Sequence, residues 1–210
     1  MTAIVAELSI EASVMGQMDE TVFERFTDRW PQTGDQLLAP GRDIFLAEGA
    51  GERRYRMLQG YKRAGDILIQ SALADRQDRQ SLVFPALFNY RHYIELALKS
   101  SIEEHGPFAD VHLESKNHKL PALWQLFLKI AASFGTDCSD ESVIAVGICI
   151  TEIDKIDTNS TTFRYAQDLA GRVPTLPGDG LDLTRLHDVM NGIENFFECA
   201  DMAFTHRAEF

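Results

Sequence analysis

Arg91, Glu95 and Lys99 follow one another at four-residue intervals, a spacing that puts a guanidinium, a carboxylate and an ammonium group on one face of an α-helix. His118 lies beyond the next polar connection and reaches that face if the chain turns back. Together they suit proton transfer at a phosphate. Arg91 and Lys99 supply positive charge, Glu95 orients Arg91 or His118, and the imidazole carries the proton. The same residues equally suit a buried salt bridge, with His118 hydrogen-bonding between helices and Lys99 extending its charge to water along an apolar stem. Recognition of RNA or another ligand without catalysis is a third use. Arg91 and Glu95 share a stripe with Phe84, Phe88, Leu98 and Ile102, so the ionic pair is turned toward the packing side of its helix.

Other chemistries find less support. Arg53, Arg54, Arg56, Lys62 and Arg63, with Tyr55 and Tyr61, form a second basic and aromatic group that either contacts phosphates and bases or packs and pairs with acids. His105 and His112 flank a Gly106–Pro107 turn near Asp110, and His187 stands beside Asp188; neither group has the spacing of a metal site, and HExxH is absent. Walker and GxGxxG phosphate loops are also absent. No metal or cofactor is therefore expected. Cys138, Cys149 and Cys199 are odd in number and widely spaced, which fits a reducing, cytoplasmic setting.

The 210 residues carry 20 Lys and Arg against 32 Asp and Glu, a formal charge of -12 that repels a polyanion unless bases are locally concentrated. Residues 1–40 hold 7 acids and 2 bases, residues 41–140 hold 13 of each, and residues 141–210 hold 12 acids and 5 bases, so a polyanion would meet the middle of the chain. The apolar run Val143–Ile150 is too short for a membrane span and is expected in the core.

The elements that must position these residues read as helices. Residues 1–50 are expected to be an extension and connector, with a short amphipathic helix over Glu20–Trp30 before Pro31, Gly34, Pro40 and Gly41. Residues 51–210 form the helical domain. Its first helix is predicted over Glu52–Leu73, with Tyr55, Leu58, Tyr61, Gly65 and Leu68 or Ile69 facing the core. The second runs over Leu82–Glu104, with Pro85 in its first turn. The third covers Leu120–Ala132 and the fourth Ser142–Asp154, capped by Ser139 or Asp140. The last spans Leu183–Phe204, its core side marked by Leu186, Val189, Met190, Ile193, Phe196, Phe197 and Ala200. Thr158–Asp182, rich in Thr, Gly and Pro, is assigned to a long loop or small hairpin. The fold class is all-α, an antiparallel helical bundle with a long loop before the last helix.

The segment FPALFNYRHYIELALKSSIEEHG, followed by HKLPALWQLF, resembles the HEPN superfamily, and FRYAQDLAG before a long terminal helix is similar to a feature of one bacterial branch. The resemblance covers roughly Tyr55–Phe204 and rests on Arg91, His92, Glu95 and Lys99 with His118, Leu120 and Trp124. It implies an RNA- or nucleotide-associated or regulatory module, with an atypical metal-independent ribonuclease or a purely structural homodimer as alternatives. It also implies a homodimer or another protein partner, and a setting in bacterial defence or regulation. The usual ribonuclease motif of that superfamily, an Arg followed by a His after four to six residues, is missing, because no histidine here follows an arginine at that distance. Arg91 and His92 are adjacent and point about 100° apart on a helix. The candidate catalytic residues are thus His118, Arg91 and Glu95; Lys99, Arg164 and Tyr165 are the candidate ligand contacts. Arg164 either reaches a ligand or the Glu95 region, or pins its loop to the bundle.

Overall fold

The computed structural model describes residues 33–35, 37–38, 49–113, 117–167, 171, 173, 175–176, 178 and 180–208. The helix expected over Glu20–Trp30 and most of the expected extension lie outside these residues. The described residues contain five α-helices and no strand: α1 (Ala50–Ala74), α2 (Asp78–His105), α3 (Leu120–Ser133), α4 (Glu141–Ile156) and α5 (Leu183–Ala208), with a single 3-10 turn at Gly106–Ala109. The all-α bundle and the long loop, residues 157–182, before its last helix are as expected. These helices belong to one unit, Leu46–Phe210.

Local chemistry sets most boundaries. Asp75 terminates α1 in extended backbone and its carboxylate accepts from the Gln77 amide, which leads directly into α2. After α2 the chain tightens into the 3-10 turn, which Asp110 closes in the left-handed region at φ 53°. Gly106 is required there, since a Cβ would collide with the Val111 carbonyl. Pro121 in the first turn of α3 forfeits only an amide that a helix start leaves unpaired. Asp140 caps α4 by accepting from the Ser142 amide at 2.8 Å, the expected arrangement.

Pro85 departs from expectation. The helix begins at Asp78, so the proline sits inside it rather than in its first turn. It removes the donor for the Ser81 carbonyl, and the exposure of Ser81 lets water take that place.

The core is built around α2. Tyr90, Tyr93, Ile94, Leu98 and Ile102 are buried from α2, with Leu120, Leu123, Phe127 and Ile130 from α3, Val143, Val146 and Ile150 from α4, and Met190, Ile193, Phe197 and Phe204 from α5. Phe127 is the hub of the aromatic part, with its ring 5.1–5.9 Å from those of Trp124, Phe196, Phe197 and Phe204. The apolar run on α4 is only half internal: Val143, Val146 and Ile150 face the core, whereas Ile144 and Ile148 are exposed.

The buried stripe of α1 agrees with expectation at Gly65 and Ile69, with Leu58, Tyr61 and Leu68 partly buried against the core, and departs from it at Lys62 and Tyr55. It is Lys62, Gly65, Ile69 and Ala72, whereas Tyr55 is 60% exposed. The fit of Gly65 against Tyr90 fixes this rotation, because a Cβ at residue 65 would overlap the Tyr90 ring. The helices meet backbone to ring at this point, and the rest of the stripe follows.

Candidate functional site

Midway along α2, Arg91 is fully buried and each of its guanidinium nitrogens donates. Nη1 donates to Glu95 Oε2 at 2.8 Å, Nη2 to the His118 carbonyl at 3.0 Å, and Nε to the Asp157 carbonyl at 3.0 Å. One side chain thus ties α2 to the segment entering α3 and to the end of α4. The Asp157 carboxylate is also buried, with Oδ2 3.4 Å from Arg91 Nε. Its other oxygen, Oδ1, accepts from the Thr161 and Thr162 amides at 2.7 and 2.9 Å, which folds the start of the long loop over the cluster.

Glu95, 2% exposed, is the second centre. Its Oε1 accepts from Lys99 Nζ at 2.9 Å and lies 2.7 Å from His118 Nδ1. Burial pushes its pKa up, but the hydrogen bonds from Lys99, Arg91 and His118 outweigh burial and lower it to about 2. The carboxylate is therefore ionised at neutral pH, and an ionised acceptor at 2.7 Å selects the His118 tautomer with its proton on Nδ1. Nε2 of this ring, whose side chain is 59% exposed, has no partner among the described residues. Lys99 retains a small exposed fraction at the rim.

The structure accordingly brings Arg91, Glu95, Lys99 and His118 together, and divides them into an enclosed half and an open edge. Arg91 has no accessible atom for a substrate, and Glu95 has both oxygens engaged. His118 and Lys99 form the edge.

Arg164 joins a neighbouring group rather than Glu95. Its Nε donates to the Ser160 carbonyl at 2.7 Å, and its guanidinium lies 5.7 Å from the ring centres of both Phe88 and Tyr165. Phe88 in turn stacks on His92 at 5.8 Å, and Tyr61 meets that imidazole at 4.3 Å with the two rings nearly perpendicular. Burial is the largest influence lowering the His92 pKa; Glu95 opposes it, and the charges of Arg91, Lys99 and Arg164 add to it. Lys99 and Arg164 therefore both project their fields onto His92. Arg164, Tyr165, Phe88 and His92 thus form one chain of contacts beside α2, and Lys99 and His118 mark the open edge of the Glu95 cluster. Sequence spacing hints at half of this arrangement, since residues 88, 92, 95 and 99 share one helix face.

Two further polar groups were not evident from the sequence. Lys62, for which phosphate contact and pairing with acids were both open, is 2% exposed; its Nζ contacts Asp66 and Glu194 carboxylates at 2.9 Å and Asn191 Oδ1 at 2.8 Å. The Tyr90 hydroxyl donates to Asp66 at 2.9 Å, and burial followed by that hydrogen bond raises the phenol pKa far above its ordinary value. This network ties α1 to α2 and α5. The proposed basic surface is further reduced because Arg54 pairs with Glu103, and Arg56 with Glu52. The Lys62–Asp66 spacing was the available signal.

At the other end of α2, Glu104, His105 and Asp201 place ligand atoms within 4.8 Å of one another. His105 Nε2 lies 2.8 Å from Asp201 Oδ1 while its ring packs edge-on against Phe134 and Phe204, so a hydrogen-bonded pair between α2 and α5 accounts for the arrangement. Among the described residues no helix is long and apolar enough to cross a membrane. No family model, curated protein or solved structure matches this chain.

Proposed function

We propose that this protein is a HEPN-like bacterial module that associates with RNA or a nucleotide without cleaving it, through the belt formed by Arg164, Tyr165, Phe88, His92, Lys99 and His118. The observation that carries this reading is the clustering of two cations with rings beside α2, Arg164 against Phe88 and Tyr165, Phe88 stacked on His92, and Lys99 acting on His92 by its charge. Cations neutralise phosphate oxygens and rings accept stacked bases, and both features act on single strands of varied sequence. Arg91 and Glu95 serve as the scaffold beneath, holding the backbone of His118 and the start of the long loop in place.

The test is binding of a fluorescein-labelled single-stranded RNA of mixed sequence, followed by anisotropy over a salt series. Lys99→Ala and Arg164→Ala each remove one cation, so each should weaken binding and reduce the slope of log K against log salt by somewhat under one, about 0.7 for a single strand. RNA binding that neither variant changes would overturn the assignment of the belt, and no binding by the intact protein at low salt would overturn the function.

A second reading, an atypical metal-independent ribonuclease, is favoured by the Glu95–His118 contact. A carboxylate holding Nδ1 leaves Nε2 directed outward, the orientation a general base requires. Its weakness is Arg91, whose complete burial leaves it unable to bind a phosphate in the transition state. RNA cleavage abolished by His118→Ala in a protein that still binds RNA would establish this second reading over the first.

A further inference from the structure

The exposed side of α4 is a stripe of unusual composition. Glu141, Ile144, Ala145, Ile148, Thr151, Glu152 and Lys155 recur at helical spacing and all are exposed. Ile144 is 50% and Ile148 62% exposed, although both have a β-branched apolar side chain. Thr151 adds to the apolar character, because its hydroxyl donates to the Gly147 carbonyl at 2.8 Å and needs no outside partner. Beside the ridge runs a groove of about 690 Å³ with Trp124 in its wall, open because residue 147 is glycine. A Cβ there would stand 3.0 Å from Trp124 Nε1.

The charges identify what fits. Glu141 and Lys155 lie at equal distances on either side of Ile148, each about 10 Å along the axis. If a second α4 is laid antiparallel across the first, with the two-fold axis at Ile148, each Glu141 faces the Lys155 of the other copy. The same operation brings Ile144 opposite the aliphatic stem of Glu152, and Ala145 opposite the Thr151 methyl. A shallow crossing of about 20° keeps the charged ends within side-chain reach and lets the Ile148 ridge of each copy enter the groove of the other. The face is self-complementary in shape and charge, the requirement for an isologous contact.

We propose that α4 is a self-association helix through which two copies of this chain pair antiparallel about Ile148. This pairing does not depend on the α2 belt or its ligand. A single helix face lies at the small end of specific interfaces, so the pair is a weak one, with a dissociation constant in the micromolar range or above.

Sedimentation velocity of the full-length protein from about 5 to 500 μM tests it. The intact chain should shift from monomer to dimer across this range, and Ile148→Glu, which places two carboxylates on the symmetry axis, should remain monomeric with unchanged helical circular dichroism. The register is tested by charge reversal. Glu141→Lys and Lys155→Glu should each weaken self-association by roughly tenfold, because both ends of the pair then carry like charges. An equimolar mixture of these two variants should regain association, since each copy then meets its opposite at both ends. A chain that is monomeric throughout overturns the proposal, as does a dimer that survives Ile148→Glu or a mixture that associates no better than its components.

Discussion

Replacing Arg91 by methionine keeps most of its volume and removes its charge, which makes the variant a sharp test of the buried cluster. Three donated hydrogen bonds disappear: one to a carboxylate and two to backbone carbonyls, those of His118 and Asp157. Breaking a buried pair by deleting one member costs about 3–5 kcal/mol, because the remaining charge stays out of water. Glu95 keeps Lys99 and His118 as partners, which reduces the cost, whereas the buried Asp157 carboxylate loses the cation 3.4 Å away, which increases it. The expected destabilisation is therefore about 4 kcal/mol, or a fall in melting temperature on the order of 10 °C for a domain of this size. Lys99→Met removes a partner at the rim and should cost about 1 kcal/mol. Urea unfolding followed by circular dichroism at 222 nm gives both values, provided the dependence on urea keeps its slope. Adding Glu95→Leu to Arg91→Met should recover part of the loss by removing a stranded charge. An Arg91→Met protein within 1 kcal/mol of the intact one, or no recovery in the double variant, would refute the view that this pair is the scaffold.

Acid should act on the same cluster. The Glu95 pKa is depressed, so its contribution is complete above the ordinary carboxylate value near 4.5 and is lost as the pH falls toward about 2, an effect of roughly 3 kcal/mol. The stability difference between the intact protein and Glu95→Gln, measured by urea unfolding at steps from pH 6 to pH 2, should shrink through that window; a constant difference would contradict it. Gly65→Ala drives a methyl group into the Tyr90 ring at the closest approach of α1 and α2, and should cost about 1–3 kcal/mol by thermal denaturation, whereas Gly60→Ala, with open space around it, should be neutral or stabilising.

Helix limits were legible because they depend on neighbours in sequence. Asp140 followed by an apolar run marks the start of α4, whereas α2 starts at Asp78, ahead of the expected Leu82. The Arg91–Glu95–Lys99 face was legible for the same reason, since four-residue spacing is a property of one helix. His118 joined it across 23 residues from Glu95, a reading helped by its place at the entry to α3. Asp157 was not legible: it meets Arg91 only after α3 and α4 have turned the chain back, 66 residues later. For Lys62 the sequence left both phosphate contact and pairing with acids open, and the structure gives the pairing. Its true surroundings, Asn191 and Glu194, come from α5. The α1 stripe was legible except at Tyr55. Helical spacing put Leu58, Tyr61, Gly65 and Leu68 or Ile69 on the inner side, where they lie, and Gly65 makes the close approach to the Tyr90 ring of α2, whereas Tyr55, near the start of the helix, is exposed.

Arginine retains its charge over the whole pH range in which proteins stay folded, and two of the three partners of Arg91 are backbone carbonyls, so acid can loosen only its bond to Glu95. With its guanidinium bound to α2, to the entry of α3 and to the end of α4, it acts mechanically as a rivet. Through this one buried side chain the residue that ends α4, the middle of α2 and the backbone of His118 are held to one another. Two distant edges of the bundle are thereby made to move together or not at all.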